Sequence, residues 1–360
     1  MGEVSSVVSS ILTAIAMLLV AGLAYVAITH YAFNLNNPLS AFGNITSTVV
    51  PAVTSINGTA ATTTALQFNN SQTNAALDAY ALGLINTDRH KYGLGNVTLS
   101  NEPSAQQHSV SMLSYSYFSH WDPYGMKPYM RYTLLGGLGA ASENVAYRES
   151  ESCGIFGCTG NINVKQALQQ MEYEMMYNDS VCCNNGHRDN ILNPDHNEVS
   201  IGIAYNSSSV YFTEDFIDNY VNWSDYGINP STDEMYVEGT LSGGNIFSSV
   251  QIAYDKPVQN MTTAQLDNTS SYSYGPTIAG VVGSPLYYYT GIETIDANEY
   301  SISGRNFKVA FPMQDTINKN GPGEYTVLVW MNDSSGAGFV GSTYTVFVGA
   351  GDRVYTPSNV

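Results

Sequence analysis

The sequence predicts an α+β chain in three parts: an N-terminal transmembrane helix, a mixed α/β domain and an all-β immunoglobulin-like sandwich. Three observations carry that expectation. A nearly uncharged apolar run opens the 360-residue chain, helical spacing of apolar residues sets in at about residue 71, and after about Tyr226 it gives way to β-rich runs punctuated by Gly, Pro and Asn. At roughly 100–200 residues per domain, the length suits two ordinary domains plus extensions.

Val7 to Phe33 is almost wholly apolar, and Ile11 to Ile28 has Thr13 as its one clearly polar residue. Such a stretch makes about 27 Å of helix, enough to cross a bilayer core. A cleaved secretory signal would carry a basic leading segment, but no Lys or Arg occurs before Arg89, so residues 1–33 are expected to stay as an anchor. Residues 34–70 have no charge and are rich in Thr, Ser, Asn and Ala, with Pro38 and Pro51 as breakers; they read as an extended stalk.

Residues 71–220 form the mixed domain. Ala76, Tyr80, Leu84 and Thr87 share one helical side, followed by Gly93 and Gly95 as stops. Further helices are expected near 103–118, 127–137 and 162–178, and VSIGIAY and SVYFTEDF read as strands joined by an NSS turn. Over 226–350 the runs EMYVEGTL, SSVQIAYD, YYYTGIETI, FKVAFPM, EYTVLVWM and STYTVFVG are spaced as in an antiparallel sandwich, the last two as a hairpin.

The formal charge is −18, and only 12% of residues are charged against about 25% in typical soluble domains. An acidic surface repels phosphate backbones, which excludes nucleic acid as a partner. Uncharged polar surface, four cysteines (Cys153, Cys158, Cys182, Cys183) and sequons at Asn44, Asn57, Asn69, Asn96, Asn178, Asn206, Asn222, Asn260, Asn268 and Asn332 all favour export to the cell surface. Disulfides between the two cysteine pairs are expected, because adjacent cysteines strain a mutual bond; a four-thiolate zinc site is the rival reading.

Four segments of the mixed domain carry His and Glu: YFSHWDPYG with His120, SENVAY with Glu143, QQMEYEMM with Glu172 and Glu174, and NNGHRDNILNP with His187. Two imidazoles and two carboxylates meeting in a cleft bind a divalent cation or poise a water. The gaps of 23, 31 and 13 residues, counted through Glu174, mean that only the fold can assemble them. Each residue also has an ordinary reading: His120 packed between aromatics, Glu143 paired with Arg148, His187 in a solvent-facing turn. His108 is expected to pack within its helix, and His30, His90 and His196 are read as structural.

The ordered segments LINTDRHKYGL, SAQQHSVSMLSYSYFSHWDPYGMKPYMRY, ENVAYRE, GHRDNILNPDHNEVSIGIAY and YFTEDF resemble the CAP superfamily (SCP-like; cysteine-rich secretory, antigen 5 and pathogenesis-related-1) in its prokaryotic form. The resemblance implies an α-β-α sandwich with two His and two Glu in a surface cleft. It assigns His120 and His187 as metal ligands and Glu143 and Glu174 as the acidic pair, with Glu172 as the alternative second acid. Ser142 stands where the family usually has Gly, and Met171 where it often has Trp. The implied cofactor is a weakly held Zn2+ or other divalent cation.

Three functions follow as expectations. The first is a membrane-anchored extracellular module that binds a metal and engages a lipid, glycan or surface protein. The second is a metal-dependent hydrolase in which Glu143 or Glu174 serves as base. In the third, the N-terminal segment, which also resembles that of archaeal pilin-like subunits with processing after Gly2, self-assembles into a filament.

Overall fold

The computed structural model describes residues 75–150, 153–154, 157–158, 161–229, 231–269 and 271–349. The apolar run, the stalk and the sequons at Asn44, Asn57 and Asn69 lie outside the described residues. Among the described residues no helix is long and apolar enough to cross a membrane.

The mixed domain begins with α1 (Ala75–Lys91), which buries Leu77, Ala81 and Ile85 at four-residue spacing. Arg89, His90 and Lys91 in its last turn complement the helix dipole, and Gly93, at φ +75°, turns the chain away. After β1 (Thr98–Leu99) come α2 (Ser104–Tyr115), ending at Ser116 in the left-handed region, and α3 (Pro128–Leu134), which starts on proline. Next are β2 (Ala140–Glu149), the two-residue strands β3 (Cys153–Gly154) and β4 (Gly157–Cys158), and α4 (Val164–Tyr177), capped by the Asn163 side chain. Two short helices, α5 (Ser180–Cys183) and α6 (Gly186–Ile191), lead to the long hairpin of β5 (Glu198–Tyr205) and β6 (Ser209–Asp218).

These strands form a sheet of order β1-β5-β6-β2, so β2 is an edge. Period-two alternation gives the sheet two faces. Val199, Ile201, Ile203, Phe212 and Phe216 share a core with Leu77, Ala81 and Ile85 of α1 and Ala167, Leu168, Met171 and Met175 of α4. The opposite face carries α2, where Ser109 Oγ donates to the Gly202 carbonyl at 2.9 Å. A Cβ on Gly202 would lie 2.0 Å from the Ala105 carbonyl oxygen, so only glycine lets α2 rest on β5. The mixed α/β fold is therefore layered helix, sheet, helix.

The chain continues into β7 (Val221–Asn229), β8 (Glu234–Leu241), β9 (Ile246–Asp255), α7 (Thr263–Leu266), β10 (Thr277–Val282), β11 (Glu293–Asp296), β12 (Glu299–Ser303), β13 (Asn306–Pro312), α8 (Gln314–Asn320), β14 (Gly323–Asn332) and β15 (Gly338–Val348). Sheets of order β11-β10-β9-β14-β15 and β12-β13-β8-β7 enclose one apolar core containing Val237, Val309 and Phe311 from one sheet and Ile252, Val327 and Tyr344 from the other. The β-rich C-terminal region is thus present, with β14 and β15 as its final hairpin. One expected strand differs: YYYTGIETI becomes strand only from Glu293 on, and Tyr287 and Tyr288 face solvent.

Candidate functional site

The cleft is organised by two successive residues of the edge strand. In the antiparallel β2–β6 ladder Glu143 faces Asp215 and Asn144 faces Glu214. Neighbouring side chains on a strand point to opposite faces, so Glu143 and Asp215 lie on the α2 side and Asn144 and Glu214 on the α1/α4 side. Each face reaches one of the two histidines.

On the α2 side, Glu143 Oε1 accepts from His120 Nδ1 at 2.9 Å, and Glu143 Oε2 accepts from Arg131 of α3 at 2.5 Å. Arg131 also donates to the His120 carbonyl at 2.7 Å, locking ring and backbone together. Ser104 at the start of α2 donates to Asp215. The cluster is deeply buried, which disfavours every charge in it. Burial pushes His120 down to about 4, with Arg131 acting in the same direction, so the ring is neutral at physiological pH. Burial raises Glu143 to about 7 even though Arg131 opposes it, and raises Asp215 to about 8, helped by Glu143. An ion pair alone would lower Glu143; here desolvation outweighs it.

On the other side, the second histidine is held by a residue absent from the sequence expectation. Asp179, in the bend between α4 and α5, accepts from His187 Nδ1 at 2.7 Å through Oδ1. Its Oδ2 accepts from the His187 and Arg188 backbone amides at 2.8 and 3.1 Å, tying down the start of α6. Asn144 Nδ2 donates to the His187 carbonyl at 3.2 Å, and Asn190 donates to Asn144 Oδ1 at 3.0 Å. The His120 and His187 ring centroids are 6.5 Å apart.

The sequence-assigned acids therefore divide. Glu143 meets His120, but Glu174 does not enter the cleft: it is exposed and pairs with Arg148 at 2.9 Å. Glu172 is not the second acid either. It is buried on the core side of α4 beside Glu214, and burial followed by repulsion from Glu214 holds it well above its ordinary range. Geometry explains the correction, because the core-facing ridge of α4 buries Glu172 and leaves Glu174 in solvent. The chain must turn past the helix end before a carboxylate reaches His187. Arg148, the partner of Glu143 in its ordinary reading, serves Glu174 instead. His108 is buried against the Ser119 carbonyl at 2.8 Å, and His196 bonds Asp218 and Asn190 at 2.6 and 2.9 Å.

The disulfide expectation also changes. Cys182 is bonded to Cys183, not to the other pair, and the backbone sets Cys153 opposite Cys158 across β3 and β4. Cys182 and Cys183 are neighbours in the chain, so no long-range crossing is formed at either. With those two sulfurs joined, a four-thiolate zinc site is not formed in this state.

The β-rich region supplies a wall of the cleft that sequence reasoning also missed. The Tyr272 hydroxyl accepts from the Glu143 backbone amide at 2.5 Å, and its ring lies 4.9 Å from His120. The flanking residues fasten this segment down: Asp267 accepts from the Phe118 amide at 2.9 Å, Ser271 from the Trp121 indole at 3.3 Å, and Asp255 pairs with Lys127 at 2.6 Å. Nothing in the run SSYSYGP marks Tyr272; an edge strand needing a partner for its amide is the physical reason it is there.

The donor set fits a divalent ion. A neutral imidazole whose Nδ1 proton goes to a carboxylate presents a basic Nε2, the arrangement that orients metal-binding histidines. In both rings Nδ1 faces a carboxylate, and two Nε2 ligands would leave the remaining coordination positions open.

Residues 82–216 match the family described as CAP: Cysteine-rich secretory protein family, and the chain carries a CAP domain over that span. Among solved structures, it is similar to an extracellular protein containing a SCP domain from Bacillus anthracis str. Ames, at 23% identity and TM-score 0.28, covering 39% of each chain. It is also similar to the CAP domain of Enterococcal PrgA, at 15% identity and TM-score 0.24, covering 38% of this chain and 58% of that one. The chain thus spans less than two thirds of either neighbour. No curated protein matches it.

Proposed function

We propose that this is an exported CAP-domain protein, anchored at the cell surface through residues 7–33, whose His120/His187 cleft binds a divalent cation such as Zn2+ and serves ligand binding. The observation that carries the reading is the matched pair of imidazoles, each anchored at Nδ1 by a carboxylate and 6.5 Å apart between ring centroids. Two imidazoles are a thin ligand set, so affinity is modest and the ion keeps open positions for a ligand. His120 and His187 hold the ion, Glu143 and Asp179 orient them, and Tyr272 narrows the mouth. The exposed side chains of Asn96, Asn178, Asn206, Asn222, Asn260 and Asn268 support a glycosylated, extracellular setting.

Hydrolysis is less well supported. Both Glu143 oxygens are engaged, by His120 and Arg131, and Glu174 is outside the cleft, so neither of these two acids stands free as a base. Calorimetric titration of Zn2+ into the chain, kept free of reductant, tests the binding reading. One site per chain is expected, lost in both His120→Ala and His187→Ala; undiminished binding in either variant overturns it.

A further inference from the structure

The Cys182–Cys183 disulfide lies beside the Asp179 carboxylate that holds His187 Nδ1. Asp179, Cys182, Cys183 and His187 each offer one ligand atom, and these four atoms lie within 4.8 Å of one another. Cys182 is exposed and Cys183 half-buried, so a reductant reaches the bond, whereas Asp179 is buried beneath them. Cys182 Sγ stands 3.6 Å from Asp179 Oδ1. A disulfide sulfur has no proton to offer that oxygen, while a thiol does.

We propose that this cluster is a second metal site, opened by reduction, that takes a soft divalent cation through two thiolates, His187 Nδ1 and Asp179. A dithiol reductant breaks the Cys182–Cys183 bond by exchange, becoming a disulfide itself and leaving two thiols; the cation then displaces both thiol protons. Two sulfurs, one nitrogen and one oxygen form a set suited to Zn2+ or Cd2+. At metal–sulfur distances of about 2.3 Å, tetrahedral ligands sit about 3.5–3.8 Å apart, so the widest pairs contract while the two sulfurs, freed of their bond, and the His187–Asp179 pair at 2.7 Å move apart.

The site competes with the cleft for one ring. A neutral imidazole has one lone pair. With the disulfide formed, Nδ1–H donates to Asp179 and Nε2 is left as the cleft's ligand; with a cation on Nδ1, the proton moves to Nε2 and His187 no longer serves the cleft. This competition rests on the cleft reading above, but the thiolate site does not.

The test uses the full chain and Cd2+, read by thiolate-to-cadmium charge-transfer absorption in the ultraviolet, with and without a trialkylphosphine. The phosphine takes oxygen from water as it converts the disulfide to two thiols. The reduced chain is expected to gain the band at one equivalent, and the oxidised chain to lack it. Cys153→Ser/Cys158→Ser should keep the band, and so should His120→Ala, which removes only the cleft site. Cys182→Ser/Cys183→Ser should abolish it, and Asp179→Asn should weaken binding at least tenfold. A band that follows Cys153 and Cys158 instead, or no band in the reduced chain, overturns the proposal. Loss of cleft zinc binding in His120→Ala with the cadmium band retained shows the two sites to be separate.

Discussion

The two histidines of the cleft are held in opposite ways. His120 sits in a buried network in which Glu143, Arg131, Asp215 and Ser104 all make fixed contacts, and the β-rich region closes over it through Tyr272. His187 stands on a six-residue helix whose first turn hangs from the carboxylate of Asp179, with an exposed cysteine pair beside it. The first half is tied to the core, so removing its charged members destabilises the domain as a whole. The second is a local device and can be altered while the sheet stays intact. Such a division lets one ligand be rigid while its partner adjusts to an ion.

The sharpest way to break the comparison is Arg131→Ala. It strips the cation from a pocket that also holds Glu143 and Asp215, and leaving a buried charge without its partner costs about 3–5 kcal/mol. Urea denaturation should show that loss over the whole mixed domain; a loss under about 1 kcal/mol would mean that the His120 half is not core-tied. Asp179→Ala is the matched change on the other side. It should lower zinc affinity in the cleft by about 10–100-fold, the usual effect of removing a carboxylate behind a metal-binding histidine. The midpoint of global unfolding should move far less than in Arg131→Ala.

The same contrast explains what the sequence made legible. His120, Glu143 and His187 stand in recognisable surroundings, and α1, α2 and α4 announce themselves because apolar residues recur at helical spacing. Strand β2 does not: AASENVAYRE is polar at Glu143 and Asn144, yet both are buried, because Glu143 is satisfied by Arg131 and Asn144 by Glu214, both outside the strand. Alternation of hydrophobicity fails wherever a strand buries polar groups on both faces. Asp179 was hidden for another reason. Its role depends on the turn after α4, and spacing along a helix says nothing about the residue just beyond its end. Tyr272 lies 129 positions from the amide it satisfies, and no local pattern encodes such a pairing.

The back of β2 offers a pH test. Burial raises Glu214 to about 7 and holds Glu172 higher than its usual range. The unfolded chain titrates near 4.3, so the folded state binds the extra proton. This contribution is fully present below the unfolded value and is lost as pH rises through about 7. Thermal melts at pH 5 and pH 8 should therefore show Glu214→Gln losing less stability than the parent over that interval, by roughly 2–8 °C. Parallel loss in the two proteins would mean that the pair is not protonated in the folded state.

The smallest effect is expected where the two regions meet. Tyr272→Phe keeps the ring against His120 and deletes only the hydroxyl that accepts from the Glu143 amide. A buried donor left without its acceptor costs about 1–3 kcal/mol, and water admitted at the rim would hold the loss to the lower end. Zinc affinity should change less than in Asp179→Ala, since both rings keep their carboxylates. Amide exchange at Glu143 reads the bond directly: it should quicken in Tyr272→Phe while the amides of β5 and β6 stay protected. Unchanged exchange at Glu143 would mean that the edge strand does not depend on the β-rich region to satisfy it, and that the His120 half owes its rigidity to Arg131 alone.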